Sequence, residues 1–442
     1  MSTWQKVKIG DFLYEREGKY KPNAKEVEGL LRIEKIDFKG NFHIGAKPSK
    51  TNLILIKKGD LVISGINVAK GAMGIYTGEE DVVATIHYSS YTFDKTKINL
   101  GYFKRFLKSP EFIRLLNEQV KGGIKTEIKP KHILPLEISL PDIVTQNQIV
   151  SNFEKIENDI SELDYDVRHQ QNLLKRLKQT ILQEAIEGKL TSKWREQNSD
   201  IEPASILLEK IQAEKEKLIK DKKIKKQKSL PPITDDEKSF EIPESWEWCR
   251  LGDVSVKIGS GSTPKGSNYS AKGYPFLRSQ NIYDEGLVYK DIKYITEEVH
   301  QSMRGTRVVK NDLLLNITGG SLGRCAYVPA SFSEGNINQH VCIIRALTVY
   351  RKFLHKVVLS PFFQNLIFGY TTGAGREGLP KYNLEKFVVA IPPIKEQKEI
   401  VSIIEKLFAI CDQLEEQINS SKENVDMLMK TVLKEAFEHG EG

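Results

Sequence analysis

The residues that could do chemistry in this chain are few, and their spacing argues against catalysis. Pro141-Asp142 and Glu187-Gly-Lys189 look like the halves of a nuclease signature, whose carboxylates would hold a metal ion beside a phosphodiester. They bracket one helical stretch and lie some 66 Å apart at ~1.5 Å rise per residue, so they cannot share an ion. Gly373-Ala-Gly375-Arg-Glu-Gly378 has the glycine spacing of a dinucleotide loop but follows a predicted helix, with no strand before it. Gly259-Ser-Gly261-Ser-Thr-Pro-Lys265 resembles a phosphate loop without its Gly-Lys-Ser/Thr ending. No Asn-Pro-Pro-Tyr/Phe motif for adenine methylation, no ATP-binding loop, no zinc-protease helix and no nucleophile elbow occurs. Cys249, Cys325, Cys342 and Cys411 are scattered, which supports neither a disulfide framework nor a zinc site. The chain reads as a binding protein with no catalytic residues, no metal site and no cofactor of its own.

Binding groups are more plentiful, and they favour an acidic partner. Net charge is +7 with a pI near 8.8. Lys220 to Lys228 carries six lysines against Asp221 alone, the composition of a solvated linker or of a direct nucleic-acid contact. Candidates for DNA phosphates are Lys121, Lys125, Lys129, Lys131, Arg376 and Lys381, all in or beside glycine-rich loops, together with Lys265. Tyr269, Arg278, Gln280 and Asn281 offer the stacking and bidentate groups that base edges require, and Lys19, Lys21, Arg32 and Lys35 occupy the matching stretch upstream. A second polar cluster, Asn336, Asn338, Gln339 and His340, has a weaker counterpart in His87, Ser89 and Ser90.

The elements that must position these groups occur twice. Residues 141–187 overlay 392–438 at a constant shift of 251 without a gap, with identities that include Gln146 and Gln397, Ile149 and Ile400, and Glu184 and Glu435. So long a period marks a duplicated domain plus helix rather than a solenoid. Upstream, Lys58-Gly59-Asp60-Leu61 falls on Lys310-Asn311-Asp312-Leu313, and Ser109-Pro110 on Ser360-Pro361. Residues 1–140 and 243–391 read as α+β units of short strands, with helices predicted over Tyr102 to Gln119 and Leu347 to Phe368.

After each unit comes a heptad seam in alternating steps of four and three. The first runs through Ile149, Phe153, Ile156, Ile160, Leu163, Val167, Gln170, Leu174, Leu177 and Ile181. The second runs through Ile400, Ile404, Leu407, Cys411, Leu414, Ile418, Ser421, Val425, Leu428 and Val432. The lone polar position, Gln170 or Ser421, could fix register. Packed in parallel, two such helices would bring the units to one end. Packed antiparallel, they form a ruler with a pseudo-twofold axis through their middle, which is the arrangement expected here. Between the copies, a polar helix without an apolar face is predicted from Pro203 to about Lys220, within a linker over 191–242.

In order and duplication these segments resemble the specificity subunit of a type I restriction-modification enzyme. The marks are Leu140-Pro141 and Ile391-Pro392-Pro393, then Gln146-x-x-Ile149-Val150 and Gln397-x-x-Ile400-Val401, with Leu182-x-Glu-Ala185-Ile-Glu-Gly-Lys189 closing the first helix. Trp194-Arg-Glu-Gln-Asn198 and Pro243-Glu-Ser-Trp-Glu-Trp248 resemble the family's central region. The first unit departs from the second: Gly18-Lys-Tyr-Lys-Pro22 stands where the second has Gly261-Ser-Thr-Pro264. The resemblance implies target recognition domains at 1–140 and 243–391, conserved helices at 141–190 and 392–442, and recognition of a bipartite sequence on double-stranded DNA. It implies as partners two modification (methyltransferase) subunits and the restriction or motor subunits, which would carry S-adenosylmethionine and ATP. The competing reading is a duplicated coiled-coil scaffold that binds proteins without reading DNA. Met1 to Gly18 lacks the layout of a signal peptide and no apolar run approaches the roughly 20 residues of a membrane span, so a cytoplasmic location is expected.

Overall fold

Short apolar runs bounded by glycine and aspartate become strands in both halves of the chain, as in Leu61–Ser64 and Leu313–Asn316, each buried along its whole length. The computed structural model describes residues 4–37, 40–65, 72–119, 130–264, 266, 268–370 and 378–437. It divides into two compact units, residues 1–169 with 418–442 and residues 170–417.

In the first unit, Gln5–Lys8 pairs antiparallel with Glu137–Leu140 and closes the domain on itself. One four-stranded sheet has the order Leu13–Glu15, Tyr88–Phe93, Leu61–Ser64, Met73–Ile75. The other has the order Phe42–Gly45, Arg32–Ile36, Val82–Thr85, Leu53–Ile56, with a parallel bridge between Arg32 and Val83. The core around Phe12, Tyr91, Phe103 and Phe112 includes Phe437, whose ring lies 5.3 Å from Tyr102 and 5.9 Å from Phe153. The end of the second long helix is thus built into this domain's core.

The second unit repeats that strand order and adds a small hairpin, Ile282–Tyr283 with Gly286–Leu287. Glu247–Arg250 pairs with Val388–Ile391. One sheet runs Ser255–Ser260, Val341–Ala346, Leu313–Asn316, Cys325–Tyr327, and the other Lys293–Ile295, Tyr274–Leu277, Glu334–Ile337, Arg307–Val309. The parallel pairing falls in the same place, Phe276 opposite Asn336. The duplication therefore covers the whole α+β domain, including stretches where the sequence has drifted.

Each predicted domain helix is in fact two. Leu100–Phe106 and Pro110–Gln119 replace the single helix, and Arg351–Leu359 and Pro361–Gly369 replace its counterpart. Proline has no N–H to give a helix interior but suits a first turn. Ser109 and Ser360 recap the chain there, their hydroxyls accepting the N–H of Phe112 and Phe363 at 3.3 and 3.4 Å. The linker helix Ala204–Lys220 also differs from expectation, because it does have a buried face of Ala204, Leu207, Ile211 and Lys215. The Lys215 ammonium takes the end of that face by donating to the carbonyls of Gly252 and Asp253 at 2.8 and 3.1 Å. A lysine on the inner stripe makes such a helix read as polar.

The long helices are Ile143–Ile186 and Ile394–Phe437, and they run antiparallel within each unit. In the first unit Phe153 meets Phe437 and Asp164 pairs with Lys422 at 3.1 Å. In the second, Lys178 bridges Asp412 and Glu415 at 2.9 and 2.8 Å. The seam is narrower than the heptads imply. Phe153, Ile160, Val167, Leu174 and Ile181 are buried at every seventh position, and Ile400, Ile404 and Cys411 are buried on the second helix. Ile149, Ile156, Leu407, Ile418, Val425 and Val432 are half-buried. The alternate set is 41–46% exposed at Leu163, Leu177, Leu414 and Leu428. Gln170 and Ser421 are exposed too, so neither can fix register, since that requires a polar group confined inside the seam.

Candidate nucleic-acid interface

In the second unit, four loops converge where the chain passes from one four-stranded sheet to the other. Residues 338–340 join Glu334–Ile337 to Val341–Ala346, and backbone hydrogen bonds hold them on both flanks: Asn338 N–H to Leu277 O at 3.2 Å, and Ile317 N–H to His340 O at 3.0 Å. Ser262 N–H donates to Ile337 O at 3.2 Å, which lays the glycine-rich loop against them. A Cβ at Gly261 would sit 2.0 Å from the Ile337 oxygen, so only glycine permits that approach. From the fourth side Leu379 N–H reaches Ile317 O at 2.8 Å.

Side chains cross these loops in a chain of hydrogen bonds. The Thr263 hydroxyl donates to Gln339 Oε1, Gln339 Nε2 meets His340 Nε2 at 3.2 Å, and His340 Nδ1 meets Thr318 Oγ1 at 2.6 Å. Asn316 is fully buried, donating to Ser279 O and Ser321 Oγ at 3.0 and 3.1 Å, while its Oδ1 has no partner among the described residues. Reading the sequence finds Gln339 and His340 but does not single out Thr263 or Thr318, because a loop threonine carries no signal of its own.

Other sequence candidates do structural work instead. Asn281 is buried, its Oδ1 accepting the Arg278 N–H at 3.0 Å and its Nδ2 donating to Val288 and Lys290 carbonyls. Asn336 is buried between His300 Nδ1, Met303 O and Thr306 Oγ1, and Ser90 donates to Asp60 at 2.9 Å. None of the three side chains is available to DNA. Asn338 is buried, with its Oδ1 accepting the His340 N–H at 3.3 Å. Arg278 donates to Asp291 O at 2.6 Å, and Arg32 to Pro48 O at 3.1 Å. Gln280 and Lys381 are exposed, the latter 3.2 Å from Glu385, and Tyr269 lies at the surface with its ring 5.6 Å from Phe276. In the first unit Lys19, Lys21, Lys35, His87 and Lys131 are exposed. Lys121, Lys125, Lys129, Lys265 and Arg376 lie outside the described residues. Among the described residues, no group of three or more His, Cys, Asp or Glu could hold a metal ion, and no helix is long and apolar enough to cross a membrane.

Each unit also buries an acid that the sequence marks only by repetition. Asp60 takes Arg16 in a two-point pair at 2.6 and 2.8 Å, and Asp312 takes Arg345 at 2.7 and 2.8 Å. Each carboxylate also accepts a backbone N–H three residues upstream, from Lys57 or Val309, at 2.9 Å. Arg16 follows the strand Leu13–Glu15 whereas Arg345 lies within Val341–Ala346, so the domains keep the acid and have changed its partner. Beside Arg345 in the second unit, burial lowers the Lys257 ammonium pKa to about 8.

Fold and site define a duplicated binding protein, two α+β domains each joined to antiparallel helix segments. Residues 243–423 match the family described as the type I restriction modification DNA specificity domain. Relatives extend the likeness. The chain is 35% identical over 256 residues to the EcoAI specificity subunit and 26% identical over 406 residues to the EcoEI specificity subunit, both of type I restriction enzymes of Escherichia coli. These alignments take in 56% and 80% of this chain but 42% and 66% of the relatives, so the chain spans about half to two thirds of their length. With the E. coli EcoDI specificity subunit the match covers 98% of this chain and 88% of the relative at 23% identity. A solved structure described as the structural basis of complex assembly and conformational transition of the type I R-M system shares the fold, with a TM-score of 0.66 at 14% identity over 99% of this chain and 98% of that one. The HsdS subunit from Thermoanaerobacter tengcongensis aligns at a TM-score of 0.50 and 15% identity over 99% and 97%. The resemblance read from the sequence holds.

Proposed function

We propose that this chain is the DNA specificity subunit of a type I restriction-modification complex. It recognises a bipartite sequence and recruits modification and restriction subunits. The observation that carries this reading is the match of residues 243–423 to the specificity domain, set in a chain whose other half repeats that domain's strand order. Each domain reads one short block of bases, lysines and arginines on phosphates set the affinity, and the long helices set the gap between blocks. The chain itself is non-catalytic. S-adenosylmethionine and ATP belong to its partners, two modification subunits and the motor subunits, and the complex works in the cytoplasm.

The test is selection from a randomised duplex library with the purified chain and its modification partner. The expected outcome is two short blocks separated by a gap of constant length, with log affinity falling linearly in log salt. Seven residues added to each long helix change the gap and spare both blocks. Enrichment of no sequence, or association with DNA that ignores salt, overturns the reading.

A further inference from the structure

The Gln339 side chain is exposed, yet it is not free to turn. Its loop is fixed through Asn338 and His340, and its amide is held at both ends, by Thr263 and by His340. A neutral imidazole protonated at Nδ1 accepts from Gln339 at Nε2 and donates to Thr318, which accounts for every contact in the chain of four. This uses one lone pair and one N–H of the amide. A carboxamide has two of each, so among the described residues one acceptor and one donor remain for a ligand. Reversing the amide together with the imidazole tautomer leaves the same remainder, so the conclusion does not depend on that assignment.

A held amide with one donor and one acceptor to spare matches adenine, whose major-groove edge presents N6–H beside N7. Guanine presents two acceptors there, cytosine a donor alone and thymine an acceptor beside a methyl group. We propose that Gln339 is the specificity-determining residue of the second domain and reads an adenine, with Thr263 and His340 as positioning residues. This rests on DNA reading as proposed above and adds the residue and the base. The loop at the same place in the first domain is Ile86-His87, between Val82–Thr85 and Tyr88–Phe93, and it carries no amide. Only one of the two blocks should therefore depend on this chemistry.

The experiment repeats the library selection with the full chain and its modification partner, using Gln339→Ala, Gln339→Glu, Thr263→Val and Thr263→Ser. In Gln339→Ala, one adenine in one block loses preference by on the order of tenfold while the other block is unchanged. In Gln339→Glu the preference at that position moves toward cytosine, whose N4–H suits a carboxylate. Thr263→Val blurs the same position and Thr263→Ser restores it. As a check independent of variant folding, 7-deaza-adenine at that position weakens wild-type binding on the order of tenfold by removing N7, and does not weaken Gln339→Ala further. A wild-type chain that selects two blocks, with Gln339→Ala leaving both intact or 7-deaza-adenine changing nothing, overturns this inference alone. A wild-type chain that selects no sequence overturns DNA reading and this inference together.

Discussion

The side-chain oxygen of Gln146 accepts the backbone N–H of Asn99 at 2.8 Å, which ties the first turn of a long helix to the start of a domain helix. Gln397 does the same for Tyr350 at 2.8 Å, and each amide nitrogen donates to the carbonyl of the proline before its helix, Pro141 or Pro392. Both glutamines are fully buried. Replacing either with leucine strands a buried N–H and a carbonyl, so Gln397→Leu should cost about 2–3 kcal/mol in urea unfolding. A loss below about 0.5 kcal/mol would show that this contact does not hold domain to helix.

Asp312 is buried while Arg345 keeps partial contact with water, so the two residues should respond differently to substitution. Asp312→Ala removes the acceptor for the Val309 N–H and for a partly exposed Arg345, and should cost about 1–3 kcal/mol because a buried N–H is stranded while the cation can still turn to water. Arg345→Met with Asp312→Leu should recover much of that, as buried ion pairs often exchange for apolar pairs at little cost. Equal losses from the single and double variants would refute this account. Asp60 with Arg16 predicts the same ordering.

These two anchors show how the sequence was legible. Gln146, Gln397 and the Lys-x-Asp-Leu stretches repeat because each copy needs the same buried contacts, so comparing the halves finds them without a structure. The heptads were readable as far as the helices and their length. Which stripe faces the partner was not, because Leu163 and Leu174 are equally apolar and only packing tells the exposed from the buried. At the reading surface the polar clusters were visible, but chemistry alone could not separate Asn281 and Asn336, which satisfy loop backbones, from Gln339, which faces solvent. Thr263 and Thr318 become significant only when three loops meet.

His355 gives the second unit a sensitivity to acid. Its Nε2 lies 2.8 Å from the Cys325 carbonyl, and burial, the largest cause, lowers its pKa from 6.5 to about 4. Lys356 pushes the same way, and Asp284, held by the Cys325 N–H, has its own pKa raised by burial. The unfolded chain takes up the histidine proton first on acidification, so this residue removes stability as pH falls from 6.5 toward 4 and has no effect above that window. His355→Gln keeps a donor for the carbonyl and should flatten the fall in melting temperature between those pH values. Asp284 contributes with the opposite sign, which the comparison of variant with wild type cancels. Identical pH profiles would mean that His355 titrates normally.

Glu396 lies fully buried in the first turn of the second long helix, where one carboxylate gathers three partners. Trp246 Nε1 donates to it at 2.9 Å, and the Thr191 hydroxyl and Arg195 Nη1 each reach the other oxygen at 2.6 Å. Thr191 and Arg195 follow the first long helix and Trp246 opens the second domain, so three chain segments meet at this one acid. Glu396→Ala leaves the Trp246 indole N–H without its acceptor and removes the charge facing Arg195, whose Nη1 keeps the Thr191 hydroxyl at 2.9 Å, and should cost about 3–5 kcal/mol. Because Trp246 is itself buried, loosening of this junction should shift tryptophan emission to the red before global unfolding. Glu396→Gln keeps the shape and the acceptor oxygen but loses the charge facing Arg195, so it should fall between alanine and wild type in urea. If Glu396→Gln were as damaging as Glu396→Ala, the charge rather than the hydrogen bonds would be holding the junction.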